Sequence, residues 1–168
     1  MEVLTDFPSC RLECEVLLAY VLQKNRSHLR AWPDKALSDE QYAAYKKLLE
    51  QRQKGRPIAY LTGEKEFWSR SFFVSEEVLI PRPETELLID IIQQKFNSDD
   101  SFTALDLGTG SGAIAVTLAC EFNNANVVAV DISKKALLIA QKNAKQLGAN
   151  NIRFIQSDWF QRLPDTQF

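Results

Sequence analysis

The chain has 168 residues, 45% of them hydrophobic and 25% charged, and a formal net charge of −2. This composition is typical of globular proteins, and a charge so close to zero does not favour nucleic-acid binding through a basic surface. Membrane-length apolar runs and a basic-then-apolar secretion signal are missing from the sequence, and its 3 cysteines show no C-x-x-C spacing. We therefore expect a cytoplasmic protein that binds no membrane, no nucleic acid directly and no metal ion.

Helices are predicted for the first third of the sequence. One begins at Pro8 and places its apolar side chains on one face, and a break follows over residues 25–30. Ser38 and Gln41 match a capping box, in which each side chain binds a backbone N–H of the other, so a second helix begins there. Gly55 ends that helix, because glycine adopts the left-handed conformation of a helix C-terminus without a steric penalty.

A β-hairpin is predicted after Glu66. Aromatic and β-branched residues form two runs, 67–74 and 78–80, which the polar residues 75–77 separate. Pro83 then begins a helix, since proline is favoured in the first helical turn. Two antiparallel strands with a turn at residues 75–77 are therefore expected in front of that helix.

The stretch from residue 104 to 112, A-L-D-L-G-T-G-S-G, predicts a ligand-binding unit. A short apolar strand leads into a turn with three glycines, and an apolar helix follows over residues 113–119. Glycine permits backbone conformations that a Cβ atom forbids and lets a ligand come close to the main chain. The free N–H groups at the start of the helix point towards the same place, where they can bind ligand oxygens.

Two cofactors use such a turn, and the sequence satisfies both patterns. Gly108, Gly110 and Ala113 match the dinucleotide pattern G-x-G-x-x-G/A, whereas Asp106, Gly108, Gly110 and Gly112 match the acid-x-G-x-G-x-G pattern of methyltransferases. The Asp106 carboxylate favours S-adenosyl-L-methionine, which carries an ammonium group, over NAD, whose pyrophosphate it would repel. An NAD-dependent oxidoreductase stays open as an alternative, and so does a non-catalytic protein-binding fragment.

Strands and helices alternate after the glycine turn. Residues 127–130 form a predicted strand that ends at Asp131, and residues 152–155 form another that leads to Asp158 and Trp159. This βαβαβ order predicts a parallel sheet with right-handed crossovers, whose ligands bind beyond the carboxyl ends of its strands. The acidic residues therefore converge on one edge of the sheet.

Asp131, Asp158 and Trp159 are candidate cofactor contacts at these strand ends. Asp131 follows Gly108 by 23 positions (131 minus 108), where a carboxylate reaches ribose hydroxyls. The alternative is that Asp131 caps the next helix, although Ser133 already suits that role. Asp158 can accept a hydrogen bond from the adenine amine, and Trp159 can pack on the adenine ring.

Five stretches together resemble the glutamine N5-methyltransferases of bacterial peptide chain release factors. They are residues 56–63 (R-P-I-A-Y-L-T-G), 66–68 (E-F-W), 80–86 (I-P-R-P-E-T-E), 106–115 (D-L-G-T-G-S-G-A-I-A) and 157–160 (S-D-W-F). The resemblance covers nearly the whole chain, and P-R-P-E-T-E is far more specific than the glycine turn.

The resemblance implies an α/β fold: a Rossmann-like class I methyltransferase domain, C-terminally truncated in this chain, with a small helical N-terminal domain and a hairpin linker. Residues 1–65 would dock the substrate, residues 66–82 would form the linker, and residues 83–168 would be the N-terminal half of the methyltransferase domain. The implied contacts of S-adenosyl-L-methionine are Gly108, Thr109, Gly110, Ser111, Gly112, Asp131, Asp158 and Trp159. The residues implied to line the methyl-transfer pocket are Arg82, Pro83, Glu84, Thr85 and Asp106. For residues 82–85 a proline-initiated helix with a charged first turn explains the pattern equally well.

The family's Asn-Pro-Pro-Tyr motif, which grips the target amide, does not occur in this sequence. The family methylates the glutamine of a Gly-Gly-Gln loop in release factors, so the resemblance implies this partner and leaves no catalytic residue to assign here. We therefore expect the 168-residue chain alone to be inactive. The strand order of the family also predicts that residues 104–107 form a bare sheet edge, through which the chain would self-associate.

Overall fold

The computed structural model describes residues 10–163. The chain divides into two compact units, Met1–Thr62 and Gly63–Phe168. The predicted helix start at Pro8 lies outside the described residues. Among residues 10–163, no helix combines the length and the apolar character needed to cross a membrane.

The described residues of the first unit, 10–62, form helices and their connections. The helices are α1 (Cys10–Leu22), α2 (Arg26–Ala31), α3 (Asp39–Gln53) and α4 (Ile58–Thr62). The predicted capping box at the start of α3 is confirmed, because the Ser38 and Gln41 side chains each bind the backbone N–H of the other. The predicted break over residues 25–30 is wrong, since the Asn25 side chain accepts the His28 N–H and begins α2 there.

Helices α1 and α3 are joined by an ion pair with two hydrogen bonds. The Arg52 guanidinium donates from Nε to Glu13 Oε2 at 2.8 Å and from Nη2 to Glu13 Oε1 at 3.0 Å. The Tyr45 hydroxyl also donates to the Cys14 carbonyl, at 3.3 Å. Leu17 is fully buried on the same helix, so apolar burial and charge pairing act together on α1.

The second unit combines a hairpin with an α/β layer. Its elements are β1 (Glu64–Phe67), β2 (Arg70–Phe73), a 3-10 turn (Pro83–Thr85), α5 (Glu86–Lys95), β3 (Thr103–Leu107), α6 (Ala113–Glu121), β4 (Asn126–Asp131), α7 (Lys134–Leu147) and β5 (Ile152–Gln156). Strands β3, β4 and β5 form a parallel sheet in that order, which confirms the predicted βαβαβ arrangement. Strands β1 and β2 pair antiparallel in a separate two-stranded sheet.

The hairpin turns at Trp68 and Ser69, whereas the sequence placed its turn at residues 75–77. Both turn residues have positive φ angles, 52° and 55°, as the two-residue turns of tight hairpins require. The usual Asn-Gly signal is absent, which is why the sequence pattern pointed to the polar residues 75–77 instead. Those residues do form a turn, closed by the bond from Val78 N–H to the Ser75 carbonyl, but paired strands do not flank it.

The hairpin belongs to the same hydrophobic core as the α/β layer. Phe67 and Phe72 are buried in one cluster with Ile89 of α5, Val116 of α6 and Val127 of β4. The carboxylate of Glu86 accepts the Trp68 N–H at 2.9 Å and thus fixes the hairpin turn to the start of α5. The core therefore holds the hairpin against the elements that carry the glycine turn.

Candidate cofactor site

The glycine turn joins the end of β3 to the start of α6. Gly108, Gly110 and Gly112 all have positive φ angles, of 80°, 55° and 81°, which residues with a Cβ atom rarely adopt. The N–H groups of Gly108 and Thr109 both donate to the Val130 carbonyl, at 2.8 and 2.9 Å. These bonds fasten the turn to the neighbouring strand β4, so its shape is set by the sheet.

Two of the glycines serve different purposes. A Cβ atom at Gly112 would lie 3.0 Å from Ala140 Cβ and from Val116 Cγ2, so this glycine lets α7 pack closely against the turn. A Cβ atom at Gly108 would meet nothing within 4 Å. Open space next to a backbone that only glycine tolerates is what a cofactor lying on the turn needs, and the residues present fit S-adenosyl-L-methionine in this respect.

Asp106 lies in β3 just before the turn, with a carboxylate that accepts the Thr109 hydroxyl at 2.8 Å. Burial raises the pKa of Asp106, the hydrogen bonds from the Thr109 hydroxyl and the Ala115 N–H oppose that change, and the negative charge of Asp131 adds to it. A ligand that brings a positive charge would relieve both unfavourable effects. The ammonium group of S-adenosyl-L-methionine has this property, whereas a pyrophosphate does not.

Asp131 is the last residue of β4, and both of its carboxylate oxygens accept hydrogen bonds from backbone N–H groups. Its Oδ2 accepts the Gly110 N–H and its Oδ1 accepts the Ser133 N–H, each at 2.9 Å. Ser133 in turn caps α7 by accepting the Ala136 N–H at 3.2 Å. Asp131 therefore contacts the glycine turn directly, and each of its oxygens keeps a lone pair for a ligand hydroxyl.

Asp158 and Trp159 follow β5 and are both exposed, Trp159 to 66%. Trp159 has a positive φ of 47°, which is uncommon for a bulky residue. Its side chain is exposed to solvent. The Ser157 N–H donates to the Asp131 carbonyl at 3.1 Å, which joins the end of β5 to that of β4. The three strand ends thus lie side by side, as the sequence predicted.

Residues 82–85 form a 3-10 turn closed by the bond from Thr85 N–H to the Arg82 carbonyl, at 3.0 Å. Arg82, Pro83 and Glu84 are exposed. Within residues 10–163, no hydrogen bond or ion pair joins this segment to the glycine turn. Their predicted role in lining a methyl-transfer pocket stays a prediction.

Sequence reasoning missed Asn143, which touches the glycine turn from α7. Its side chain is fully buried and donates to the Ser111 carbonyl at 2.8 Å. The available signal was one amide inside the apolar face that Ala140 and Ala144 define. Its partners could not be read from the sequence, because they are more than 30 residues away.

A separate cavity of about 510 Å³ lies near the residues that precede β4 and β5. Its lining includes Arg70, Cys120, Asn123, Asn150 and Asn151. The guanidinium of Arg70 is already paired with Glu121 at 2.6 Å, and the Asn151 amide donates to two backbone carbonyls. In the described part of the chain, no group of three or more histidine, cysteine or acidic residues is placed to hold a metal ion.

Family models match both parts of the chain. One for the PrmC N-terminal domain matches residues 2–63, and one for a methyltransferase domain matches residues 98–168. Together with the parallel sheet, the glycine turn and the three adjoining strand ends, the second match defines a Rossmann-like methyltransferase domain that is present in part. The fold class predicted from the sequence is confirmed.

Similar curated proteins indicate which family of methyltransferases the chain belongs to. The release factor glutamine methyltransferase of Shewanella oneidensis is 42% identical over 95% of this chain and 56% of its own length. The protein of that name from Salmonella typhimurium is 44% identical over 98% of this chain and 59% of its own, and that from Escherichia coli is 43% identical over 95% and 57%. The chain belongs to the release factor glutamine methyltransferase family, and it spans little more than half the length of these relatives.

Proposed function

We propose that the chain binds S-adenosyl-L-methionine at the carboxyl ends of β3, β4 and β5, and that the protein methylates a glutamine side chain of peptide chain release factors. The observation that carries the cofactor proposal is the Asp106 carboxylate beside a glycine turn with open space at Gly108. The substrate proposal rests on membership of the family and on the PrmC N-terminal match over residues 2–63.

Different residues at the strand ends would hold different parts of the cofactor. The glycine turn and Asp106 would hold its methionine part, Asp131 its ribose, and Asp158 with Trp159 its adenine. When bound, the cofactor supplies a methyl group on a sulfonium centre, which is the electrophile of the reaction. Exposure of Asp158 and Trp159 supports their assignment, because Trp159 is 66% exposed and its ring is open to a ligand.

An NAD-dependent oxidoreductase is the second candidate, and the electrostatics of the turn disfavour it. The pyrophosphate of NAD would come next to the Asp106 carboxylate, which already carries the unfavourable effects of burial and of the nearby Asp131 charge. Additional negative charge at that position would be repelled. The site therefore supports the methionine cofactor better.

Calorimetric titration of the chain with S-adenosylhomocysteine and, separately, with NADH tests the cofactor. We expect S-adenosylhomocysteine to bind and NADH not to bind. Gly108→Ala should abolish binding, because the new Cβ enters the open space at the turn. Gly148→Ala is its matched control: the φ of Gly148 is 76°, nothing lies within 4 Å of its Cβ position, and it ends α7 away from the turn. Binding of NADH alone would overturn the proposal.

Methyl transfer needs more than the cofactor site. A neutral amide is a poor nucleophile, so it must be held in line with the methyl group. The family motif for that task, Asn-Pro-Pro-Tyr, does not occur in the 168 residues, and we infer that this chain alone transfers no methyl group. Incubation with a release factor and methyl-labelled cofactor should give only background labelling; turnover would show that other residues position the amide.

Two further predictions stay proposals. Residues 1–65 would dock the release factor, with residues 66–82 as a linker to the methyltransferase part at 83–168. The bare edge of β3 would pair with a second copy of the chain. The first is tested by binding of a release factor to the chain in the absence of cofactor, and loss of that binding on removal of residues 1–65 would support it.

A further inference from the structure

The buried amide of Asn143 connects three parts of the second unit. Asn143 lies on α7 and its side chain has no solvent exposure. Its Oδ1 accepts the Phe73 N–H at 2.8 Å, while its Nδ2 donates to the Phe73 carbonyl at 2.9 Å and to the Ser111 carbonyl at 2.8 Å. Phe73 ends the hairpin strand β2, and Ser111 lies inside the glycine turn.

This arrangement requires a carboxamide, which Asn143 provides. The Phe73 N–H requires an acceptor and the two carbonyls require two donors, which one carboxamide supplies. An aspartate would place a carboxylate against both carbonyl oxygens, and a leucine would leave all three backbone groups without their partner inside the core. Loss of a partner for a buried polar group costs more than the bond itself contributes.

Close packing of α7 reinforces the connection. Ala140, one helical turn before Asn143, occupies the space into which a Cβ atom at Gly112 would project. Lys142 places its ammonium 3.3 Å from the centre of the Phe73 ring. The same stretch of α7 therefore touches the glycine turn on one side and β2 on the other.

We propose that Asn143 is a positioning residue that couples the hairpin to the cofactor site, an inference that rests on the proposed cofactor. The amide holds the Ser111 carbonyl and the end of β2 in one fixed arrangement. A ligand that orders the glycine turn then also stabilises the hydrogen bonds at Phe73, and an ordered hairpin favours ligand binding by the same factor, since such coupling is reciprocal.

The unmodified chain provides the first test. Hydrogen exchange at the Phe73 amide should slow when saturating S-adenosylhomocysteine is added, because opening of that bond is coupled to the turn. The Ala125 amide, which donates to the Phe122 carbonyl beside the Asn151 side chain, is the comparison. It should slow less. Equal slowing of both amides would indicate global stabilisation alone and would overturn the inference.

Matched substitutions provide the second test. Asn143→Leu removes three hydrogen bonds, two of them donations from Nδ2 to backbone carbonyls. Asn151→Leu also removes two such donations, to the carbonyls of Phe122 and Ala125, outside the glycine turn. Both should lower the unfolding temperature, whereas only Asn143→Leu should weaken S-adenosylhomocysteine binding, by about tenfold, the factor that corresponds to one lost hydrogen bond. Asn143→Ser, which is smaller, replaces the leucine variant if the latter does not fold.

The outcomes separate this inference from the proposed function. Failure of the unmodified chain to bind S-adenosylhomocysteine would overturn the cofactor proposal and this inference with it. Binding by the unmodified chain together with unchanged affinity in a folded Asn143 variant would overturn this inference alone. An equal loss of affinity in the Asn143 and Asn151 variants would show a general effect of stability and would also contradict it.

Discussion

Asp131 and Gly110 are joined by a hydrogen bond of 2.9 Å from the Gly110 N–H to the Asp131 carboxylate. This contact crosses from the end of β4 to the turn between β3 and α6, so one side chain fixes the relative position of two strand ends. The second oxygen of the same carboxylate binds the Ser133 N–H at the start of α7. Asp131 therefore shapes the glycine turn, and its proposed role as the ribose contact can be tested by substitution.

Asp131→Ala is expected to weaken S-adenosylhomocysteine binding by about 1–3 kcal/mol, because it removes a charge-assisted acceptor and loosens the turn. Ser133→Ala is the control: it removes the cap on Ala136 and lowers stability by about 1 kcal/mol without touching the carboxylate. Calorimetry measures both affinities, and circular dichroism confirms folding. Unchanged affinity in a folded Asp131→Ala variant would show that Asp131 has only a structural role.

Asp106 should make stability depend on pH. Its pKa is raised, chiefly by burial, so the fold favours the protonated form. That contribution is present below the unfolded pKa, which is about 4, and is lost as pH rises through the raised folded pKa. Asp106→Asn removes the unfavourable free energy of burying an ionised carboxylate, and it keeps an oxygen that can accept the Thr109 hydroxyl.

The unfolding temperature of the Asp106→Asn variant, relative to the unmodified chain, should therefore increase as pH rises from about 4 through the raised folded pKa of Asp106. Affinity for S-adenosylhomocysteine should fall in the same variant, because the ligand ammonium loses a charged partner. Thermal unfolding followed by circular dichroism over this pH range measures the first effect. A difference in unfolding temperature that does not vary with pH would mean that Asp106 is ionised equally easily in the folded and unfolded chain.

The hairpin turn offers a test of backbone strain. Ser69 is exposed and has a φ of 55°, where a residue with a Cβ atom is disfavoured by roughly 1 kcal/mol or more. Ser69→Gly should stabilise the chain by about 1 kcal/mol, because glycine relieves this strain. Ser71→Gly, two residues later in β2, should instead destabilise it, since glycine weakens a regular strand. Equal effects of the two substitutions in denaturant unfolding would contradict the strain argument.

Local signals in the sequence were sufficient for the central unit. The alternation of apolar strands with apolar helices predicted the parallel sheet, and the glycines predicted the turn between β3 and α6. These features arise from residues a few positions apart. Their periodicity and conformational preferences can therefore be recognised from the sequence alone. The cap at Ser38 was predicted for the same reason and is confirmed.

Features that depend on distant residues were not predicted. The turn at Trp68 and Ser69 lacks the usual Asn-Gly pair, and it is stabilised by Glu86, 18 positions from Trp68. The amide of Asn143 meets Phe73 and Ser111, which are 70 and 32 residues away in sequence. An asparagine inside an apolar helical face shows only that a buried partner is needed, and tertiary packing decides which one.

One edge of β3 is open within residues 10–163. The Phe102 carbonyl accepts the Asn126 N–H and the Gly108 N–H donates to the Val130 carbonyl, so even-numbered residues of this strand direct their backbone groups towards β4. The backbone groups of Thr103, Leu105 and Leu107 point the other way, where the described residues contain no paired strand. The strand also has no lysine or proline, the residues by which natural edges avoid pairing.

We therefore expect the 168-residue chain to self-associate through β3 at micromolar concentration. Thr103→Pro should reduce association, because it removes one outward N–H while the bonds to β4 come from the even-numbered residues, and proline is tolerated at the first position of an edge strand. Thr103→Val is the matched control: it keeps the N–H and the shape of the side chain, so association should persist. Sedimentation velocity of the three proteins measures this. A well-folded monomer in the unmodified chain would contradict the open edge, whereas association that Thr103→Pro leaves unchanged would place the contact elsewhere on the molecule.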